Sequence, residues 1–304
     1  MTPITEVDGR RLSLSNLEKV LYPATGTTKG ELLHYYANVA APLLTHLAHR
    51  PVSFLRYPDG PDGQLFFTKN PPPGTPGWVR ISDVPRSEEG KTSPQVVVDD
   101  LATLMWAANL VVEFHTHQWP AEAPGQADRL VFDLDPGAPA GVAECCAVAL
   151  WLQERLAADG LDPYVKTSGS KGLHILVPLE PTASATASAY AKSLAVEAEA
   201  ALPALVVHRM RRSLRPGKVF VDHSQNAAAK TTAAPYTARA RPEPTVSTPV
   251  TWEETEEGAR AGGARGQDRG RLLVFLLGDI PVRLERYGDL LAPLTDPERA
   301  GRLP

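Results

Sequence analysis

The feature that most constrains the fold is a regular alternation of strand and helix patterns over residues 129–222. RLVFDLD, PYVKT, GLHILVPL and KVFVD read as strands, and residues 140–159 and 183–202 carry helical patterns. The order β-α-β-β-α-β predicts a split βαβ, ferredoxin-like sheet with helices on one face. In that topology the fourth strand lies antiparallel beside the first, so the ends of VFDLD and KVFVD should meet.

The rest of the chain predicts an α+β protein with three regions. Residues 1–127 form an N-terminal α/β lobe, residues 128–242 the βαββαβ core, and residues 243–304 a C-terminal loop and helices that pack back on the core. In the lobe we expect a helix over 29–46, extended segments over 52–56 and 65–68, the loop NPPPGTPGW, a further strand, a buried helix near 101–110 and the linker AEAPGQAD. In the last region we expect a loop over 243–270 and a final helix that begins at Arg271.

Composition limits the cellular setting. The two cysteines, Cys145 and Cys146, are adjacent and cannot build a disulfide framework or a CxxC metal site. No apolar run approaches the roughly 18 residues of a membrane span, and the first residues lack a signal-peptide pattern. We therefore expect a cytoplasmic protein.

Positive charge is concentrated in one segment, although the net charge of the chain is -4. Residues 208–241 contain eight Lys or Arg and a single acid, Asp222. Such a segment can meet a polyanion, because phosphates respond to local charge. Charge alone would favour a solvated face.

A carboxylate cluster is predicted where the strands meet. Asp133 and Asp135 are two residues apart on one strand, so their side chains leave the same face, and Asp222 ends the predicted neighbouring strand. Three ionised carboxylates repel one another unless a divalent cation neutralises them. Two Mg²⁺ or Mn²⁺ ions form the usual clamp for phosphoryl transfer. The DxD pair alone would more often be a polar strand end.

The sequence TSGSKGLHILVPL contains a second candidate site. Ser168, Lys171 and the intervening glycine-rich backbone can approach an anion closely, and His174 enters the following strand. The segment is not a P-loop, because GxxxxGK[ST] is absent and a strand follows. A hairpin turn with a solvated lysine and a core histidine is the alternative.

Together these motifs resemble the archaeo-eukaryotic primase superfamily and, within it, the polymerase domain of bacterial ligase D. VFDLDPG, TSGSKGLHILVPL and VFVDHSQNAAAKTTAAPYTARARPEPTVSTPVTWEE are similar to its three motif regions, and LSNLEKVLYPATGTTKGELLHYYANVA to its N-terminal signature. The resemblance covers about residues 12–252. It departs from the family at His223, which stands where an aromatic residue is common, and in GARAGGARGQDRG, where a compact helix is expected. It implies a primase-polymerase catalytic core with a ferredoxin- or RRM-like sheet.

The resemblance implies a role for each matching residue. Asp133, Asp135 and Asp222 match the catalytic metal ligands. His115, Ser168, Lys171, His174 and Arg239 match the nucleotide-binding residues. Asn16, Lys19 and Lys29 match the residues that bind the 5′-phosphate of the downstream strand. Phe66 and Phe67 match template-stacking positions, although alternation along a strand would bury one of them. The arginines of residues 209–215 lie where the family has a loop that pairs two DNA ends.

The function implied is that of a template-directed nucleotidyltransferase, a primase-like DNA or RNA polymerase that fills gaps and extends 3′ ends at double-strand breaks in end joining. It would use two Mn²⁺ or Mg²⁺ ions with NTP or dNTP substrates and favour ribonucleotides, for which Ser168 and His115 are the candidate sugar contacts. Its partners would be broken or gapped DNA with a 5′-phosphate, Ku, and a ligase domain on another chain or on a missing part of this one. We expect a stand-alone polymerase or an excised domain.

Two other functions are compatible with parts of the pattern. A metal-dependent phosphohydrolase could use the DxD pair, although Gly137 replaces the Thr or Val usual at that position. A non-catalytic module that binds DNA ends could keep the motifs as a relic, although all three acidic residues are present.

Overall fold

The structure is a computed structural model that describes residues 4–85, 91–261 and 271–304. The chain forms two compact units. The first contains Met1–Pro124, Thr231–Ser247 and Phe275–Gly288. The second contains Gly125–Lys230, Thr248–Val274 and Asp289–Pro304. Each unit is therefore assembled from separate stretches of sequence.

The helices and strands follow in chain order. The N-terminal stretch contains β1 (Ile4–Val7), β2 (Arg10–Ser13), β3 (Val20–Tyr22), β4 (Thr27–Thr28), α1 (Lys29–Asn38), α2 (Ala40–Leu47), β5 (Pro51–Arg56), β6 (Phe66–Thr68), β7 (Ile81–Pro85), β8 (Thr92–Val97), α3 (Leu101–Asn109) and β9 (Val112–Thr116). The middle contains β10 (Gln126–Pro136), α4 (Val142–Ala158), β11 (Tyr164–Thr167), β12 (Leu173–Ala183), α5 (Ser184–Ala201), β13 (Val206–Val207) and β14 (Val219–Asp222). The C-terminal part contains β15 (Thr232–Ala233), β16 (Pro249–Val250), α6 (Trp252–Ala261) and α7 (Asp279–Tyr287).

The first unit is built on a sheet with strand order β15-β9-β5-β8-β7, and β6 pairs with β5. Its core is rich in aromatic residues. Phe114 of β9 meets Tyr36 and Phe54 edge to face, with ring centroids 5.4 and 5.9 Å apart. Such pairs add to the free energy gained by burying the rings. The core thereby fixes β9 at Phe114. The residues on either side of Phe114, Glu113 and His115, point to the opposite face of the strand.

The helix predicted over residues 29–46 is two helices. Val39 separates α1 from α2, with φ −101° and ψ 13°. Pro42 lies in the first turn of α2, where the missing N–H costs nothing, whereas a continuous helix would need that donor. The start of α1 is fixed by a capping box between Thr28 and Glu31.

The second unit contains the predicted sheet. Its strand order is β13-β14-β10-β12-β11-β16, and β14, β12 and β11 run antiparallel to their neighbours within the β14-β10-β12-β11 part. That part is the 4-1-3-2 order of a split βαβ fold. The helices α4 and α5 contact β10, β12 and each other. The predicted α+β fold is confirmed.

Asn226 extends the sheet beyond the end of β14. Its buried side chain accepts a hydrogen bond from the N–H of Val131 at 2.8 Å and donates one to the carbonyl of Val131 at 2.7 Å. The same amide nitrogen donates to the carbonyl of His223 at 3.0 Å. One amide side chain thus replaces a strand partner for β10 and ties the segment after Asp222 to it.

The C-terminal region differs from the expectation. Within residues 243–261, predicted as loop, the structure contains β16 and the helix α6, whose N-terminal turn carries Glu253 and Glu254, a favourable charge at that end. The last helix begins at Asp279 and not at Arg271. Residues 262–270, in the Gly/Arg-rich run, lie outside the described residues.

The predicted division into residues 1–127, 128–242 and 243–304 also differs from the two units. The first boundary lies after Pro124 and not after residue 127. Thr231–Ser247 belongs to the first unit because β15 pairs with β9. The C-terminal residues are shared between the units. Across the described ranges, no helix is both long and apolar enough to span a membrane.

We predict that Asn226→Ala lowers the free energy of unfolding by about 1 to 3 kcal/mol, because the buried N–H and carbonyl of Val131 lose their partner. Chemical denaturation measures the change. Asn38→Ala is the matched control, since that side chain is exposed on α1 and bonds only His34 among the hydrogen bonds described for it. Equal losses in the two variants would contradict the bridging role of Asn226.

Candidate active site

The predicted carboxylates meet in the second unit. Asp133 on β10 lies directly opposite Asp222 on β14 and, on its other side, opposite His174 on β12. The His174 Nε2 is 3.4 Å from an Asp133 carboxylate oxygen. The antiparallel register therefore places a histidine and a second carboxylate on either side of Asp133, as the sequence predicted for Asp222.

Asp135 lies two residues further along β10 and is about half exposed, at 52% of its side chain. Its carboxylate is 3.3 Å from Nη1 of Arg215. Burial and the negative charge of Asp133 raise the pKa of Asp135, while Arg215 and Lys171 oppose the rise and Asp222 adds to it. Burial and the neighbouring carboxylates together thus outweigh the two cations in setting the pKa of Asp135.

Asp222 organises the turn that follows β14. One carboxylate oxygen accepts hydrogen bonds from the N–H of Ser224 at 2.9 Å and from its hydroxyl at 2.6 Å, and the other accepts from the amide of Gln225 at 2.9 Å. His223 occupies the position after the acid, where burial lowers its pKa and the Asp222 charge opposes that effect. The acid is thus held by donors from its own turn.

The Ser168 loop is folded around the serine hydroxyl. Ser168 Oγ accepts hydrogen bonds from the N–H groups of Ser170 at 3.1 Å and Gly172 at 3.2 Å. Gly169 has φ +67°, which glycine adopts without strain. A Cβ on Gly172 would lie 1.8 Å from the carbonyl oxygen of Leu134, so the loop approaches β10 more closely than any other residue would allow. Lys171 is exposed and its charge acts on Asp135.

These side chains do not form a closed metal cage. Within residues 4–85, 91–261 and 271–304, no group of three or more His, Cys, Asp or Glu side chains has a geometry that could hold a metal ion. The strand register nevertheless brings Asp133 and Asp222 face to face. The two observations agree if the carboxylates are turned to their present partners, Arg215 for Asp135 and the 224–225 turn for Asp222.

One arginine of the basic segment, Arg215, lies directly at this site. Arg215 contacts Asp135, donates to the carbonyl of Met210 at 2.9 Å and lies 3.8 Å above the ring of Phe220. Arg209 instead pairs with Glu199 at 3.0 Å. The sequence did not indicate which arginine would approach the carboxylates, because the loop conformation decides it.

Two of the predicted nucleotide-binding residues, His115 and Arg239, lie in the first unit. Both contact Glu113, which the sequence analysis missed. Its carboxylate accepts from His115 Nε2 at 2.9 Å and from Arg239 Nε at 2.8 Å. The sequence signal was the alternation in VEFHT, which puts Glu113 and His115 on the same face of a strand.

Phe66 and Phe67 are both exposed, at 39% and 53%. The expectation that alternation would bury one of them is wrong, because β6 is a three-residue edge strand paired with β5. The Phe67 ring lies 6.0 Å from that of His115, edge to face. An exposed aromatic ring is a surface on which a base can stack.

The predicted phosphate-binding residues lie around the start of α1. Lys19 is held by Asp59 at 2.6 Å and by the carbonyl of Pro58 at 2.8 Å. Lys29, the first residue of α1, is buried, and its Nζ is 3.4 Å from the hydroxyl of Ser15. Asn16 has φ +55° and accepts the Lys19 N–H on its carbonyl.

Lys29 is not an ordinary surface lysine. Burial lowers its pKa to about 8, and the positive charge of Lys19 adds to the effect. An anion bound beside both lysines would relieve this repulsion.

A known protein family and several known proteins are similar to this chain over most of its length. The model of the family described as LigD, primase-polymerase domain, matches residues 28–268. The multifunctional non-homologous end joining DNA repair protein LigD of Mycobacterium tuberculosis (strain ATCC 25618 / H37Rv) is 42% identical over 295 residues, which cover 94% of this chain and 37% of that protein. The bifunctional non-homologous end joining protein LigD of Bacillus subtilis (strain 168) is 30% identical over 249 residues, 81% of this chain and 40% of that protein. The chain spans well under half the length of these relatives.

A solved structure gives the same result. The polymerase domain from Mycobacterium tuberculosis ligase D, in complex with DNA, superimposes with a TM-score of 0.85 at 41% sequence identity. The match covers 94% of this chain and 99% of that one. With the motifs, the sheet order and the two similar proteins, this establishes that the chain belongs to the LigD primase-polymerase domain family.

Proposed function

We propose that this protein is a template-directed nucleotidyltransferase that extends 3′ ends and fills gaps at DNA breaks during end joining. The observation that carries the proposal is the register of β10, in which Asp133 faces both Asp222 and His174, in a chain of the LigD primase-polymerase family. The phosphohydrolase does not account for the family match, and the non-catalytic module does not account for the presence of all three acidic residues.

The carboxylates are the proposed metal ligands. Asp133, Asp135 and Asp222 provide oxygen donors, the type that Mg²⁺ and Mn²⁺ prefer. Burial and the charges of Asp133 and Asp222 raise the pKa of Asp135, and a bound cation would offset both effects. To hold two ions, Asp135 would have to give up its contact with Arg215, and Asp222 the hydrogen bonds of its turn. Bound there, the ions would lower the pKa of the primer 3′-OH and offset the charge of the departing pyrophosphate.

The chain itself would bind and orient the nucleotide. In the second unit, the backbone N–H groups and Lys171 of the Ser168 loop suit a triphosphate. In the first unit, Arg239 supplies a guanidinium, which also suits a phosphate group. His115 is the candidate contact to the ribose. Ser168 was the other candidate, and its hydroxyl oxygen already accepts two N–H groups, which favours a role in folding the loop.

The proposed partners are broken or gapped DNA with a 5′-phosphate, bound at Asn16, Lys19 and Lys29 with the template against Phe66 and Phe67. The solved relative in complex with DNA supports nucleic acid as the partner. Ku and a ligase domain stay proposals, which rest on the end-joining function in the names of the relatives.

We predict that Asp133→Ala abolishes primer extension while DNA binding stays within about twofold. The reason is that the proposed role of this carboxylate is to bind the catalytic ions and not the DNA backbone. Extension of a labelled primer on a gapped template with Mn²⁺ and NTPs measures synthesis, and fluorescence anisotropy measures binding. Asp83→Ala, which removes an exposed carboxylate from β7, is the control for the change in charge. Continued synthesis by Asp133→Ala would refute the assignment.

We also predict that the preference for a 5′-phosphorylated gap depends on Lys29 and falls as the pH rises through about 8, where Lys29 of the unbound protein loses its proton. The charged form binds phosphate, so the preference is full below that pH. Lys29→Ala should reduce the preference by about tenfold, and Lys29→Arg should keep it but remove its pH dependence, because a guanidinium stays charged.

Competition between phosphorylated and unphosphorylated gaps at several pH values measures this preference. Lys192→Ala, an exposed lysine on α5, is the control. A wild-type protein that binds both gaps equally would overturn the phosphate assignment, and an unchanged pH profile in Lys29→Arg would overturn the role of the Lys29 charge.

A further inference from the structure

Glu113 is a buried carboxylate that joins three donors from two segments of the first unit. Its side chain is 1% exposed. One oxygen accepts from His115 Nε2 at 2.9 Å and from Arg239 Nε at 2.8 Å, and the other accepts from the N–H of Ala240 at 2.6 Å. A single acid therefore links β9 to the segment that carries Arg239.

These donors keep Glu113 ionised. Burial by itself raises the pKa of the carboxyl, but the hydrogen bond from His115, the charges of Arg239 and His115 and the N–H of Ala240 outweigh it and lower the pKa to about 2. An ionised carboxylate has no proton to donate and can only accept. The proton in the contact with His115 is thus carried by the imidazole Nε2.

The contact therefore fixes the form of His115. With Nε2 protonated in either charge state, the neutral ring presents its lone pair at Nδ1. A lone pair accepts a hydrogen bond from a hydroxyl. A ribose hydroxyl is such a donor, whereas the 2′ position of a deoxyribose is not.

Arg239 is held at its backbone and at its side-chain Nε. Its N–H donates to the carbonyl of Thr245 at 2.8 Å, and its carbonyl accepts from the hydroxyl of Tyr22 at 3.0 Å. Glu113 accepts the hydrogen bond from Nε–H. A guanidinium can also bind phosphate through its two terminal nitrogens. Backbone and side chain are thereby held in one orientation.

We propose that Glu113 is a positioning residue of the nucleotide-binding site, which holds His115 as the Nε2–H tautomer for the ribose and Arg239 in place for the triphosphate. The proposal rests on the nucleotidyltransferase function proposed above. It assigns Glu113 no contact with the substrate. Its effect on nucleotide use passes through the two residues that it holds.

The first test is the tautomer of His115, which does not depend on catalysis. In ¹⁵N spectra of the full chain at alkaline pH, we expect a protonated Nε2 and an unprotonated Nδ1, with the signal assigned by its loss in His115→Ala. Glu113→Gln should shift both nitrogens toward an average of the two tautomers, because an amide can donate as well as accept. A wild-type Nδ1–H tautomer, or shifts that Glu113→Gln leaves unchanged, would overturn the proposal.

The second test is kinetic. Glu113→Gln should raise the KM for NTP by about tenfold, with a smaller change in kcat and a narrower rNTP over dNTP ratio, because binding groups are misplaced while the carboxylates on β10 are untouched. Binding of 5′-phosphorylated DNA should not change. With Arg239→Ala and His115→Ala already present, Glu113→Gln should add little, since residues that act as one unit are not additive. If Glu113→Gln instead raised the KM for NTP as much in the double variant as in the wild type, the proposal that Glu113 acts through these two residues would be overturned.

The chain offers a matched control. Glu122 also accepts from a histidine and an arginine, His49 at 3.1 Å and Arg80 at 2.6 Å, and its pKa is also lowered to about 2. Its side chain is exposed, and Glu122→Gln should leave the KM for NTP unchanged. An equal rise in both variants would overturn the proposal.

Failure of the proposed function is distinguishable from failure of this inference. A wild-type protein that never extends a primer would refute the polymerase proposal, while the tautomer spectrum would still decide whether Glu113 positions His115. If Glu113→Gln does not fold, the wild-type spectrum decides the tautomer, and Glu113→Asp, which keeps the charge, should keep the Nε2–H form.

Discussion

The antiparallel pairing of β10 with β14 and β12 is the constraint on which the candidate active site depends. Because facing residues in such a ladder are fixed by the register, Asp133 has Asp222 on one side and His174 on the other. A shift by one residue would turn the carboxylates to the opposite face and expose the apolar residues between them. The apolar side chains of β10, buried against the helices, therefore hold the acids in place.

The sheet also decides where backbone must come close. The Ser168 loop reaches β10 at Gly172, where a Cβ would collide with the Leu134 carbonyl, and Asn226 completes the hydrogen bonds of Val131 on the other side of the strand. Both contacts lie a few residues from Asp133. Both contacts therefore fix the same stretch of β10 that carries the acids.

Much of the second unit was predictable because its signals are local. The alternation in VFDLD and the order of strands and helices were enough to predict that Asp222 would join the DxD pair, and the structure confirms the topology. The first unit was less predictable, since β9 and β15 are joined by a pairing between residues far apart in sequence. Glu113 was missed for that reason: its partner Arg239 lies on the distant segment, and no short motif connects them. The exposed pair Phe66 and Phe67 was misjudged because alternation predicts burial only where something covers the second face.

The two groups of charges differ in how they are balanced. Glu113 is buried among enough donors that its pKa falls to about 2, so its charge is satisfied within the protein. Burial and the charges of Asp133 and Asp222 raise the pKa of Asp135, although Arg215 and Lys171 oppose the rise. Added positive charge lowers the free energy most where like charges are least compensated. The arrangement around Glu113 therefore suits a fixed frame for a substrate. The arrangement around Asp135 suits the binding of cations, which is the electrostatic basis of the proposed metal site.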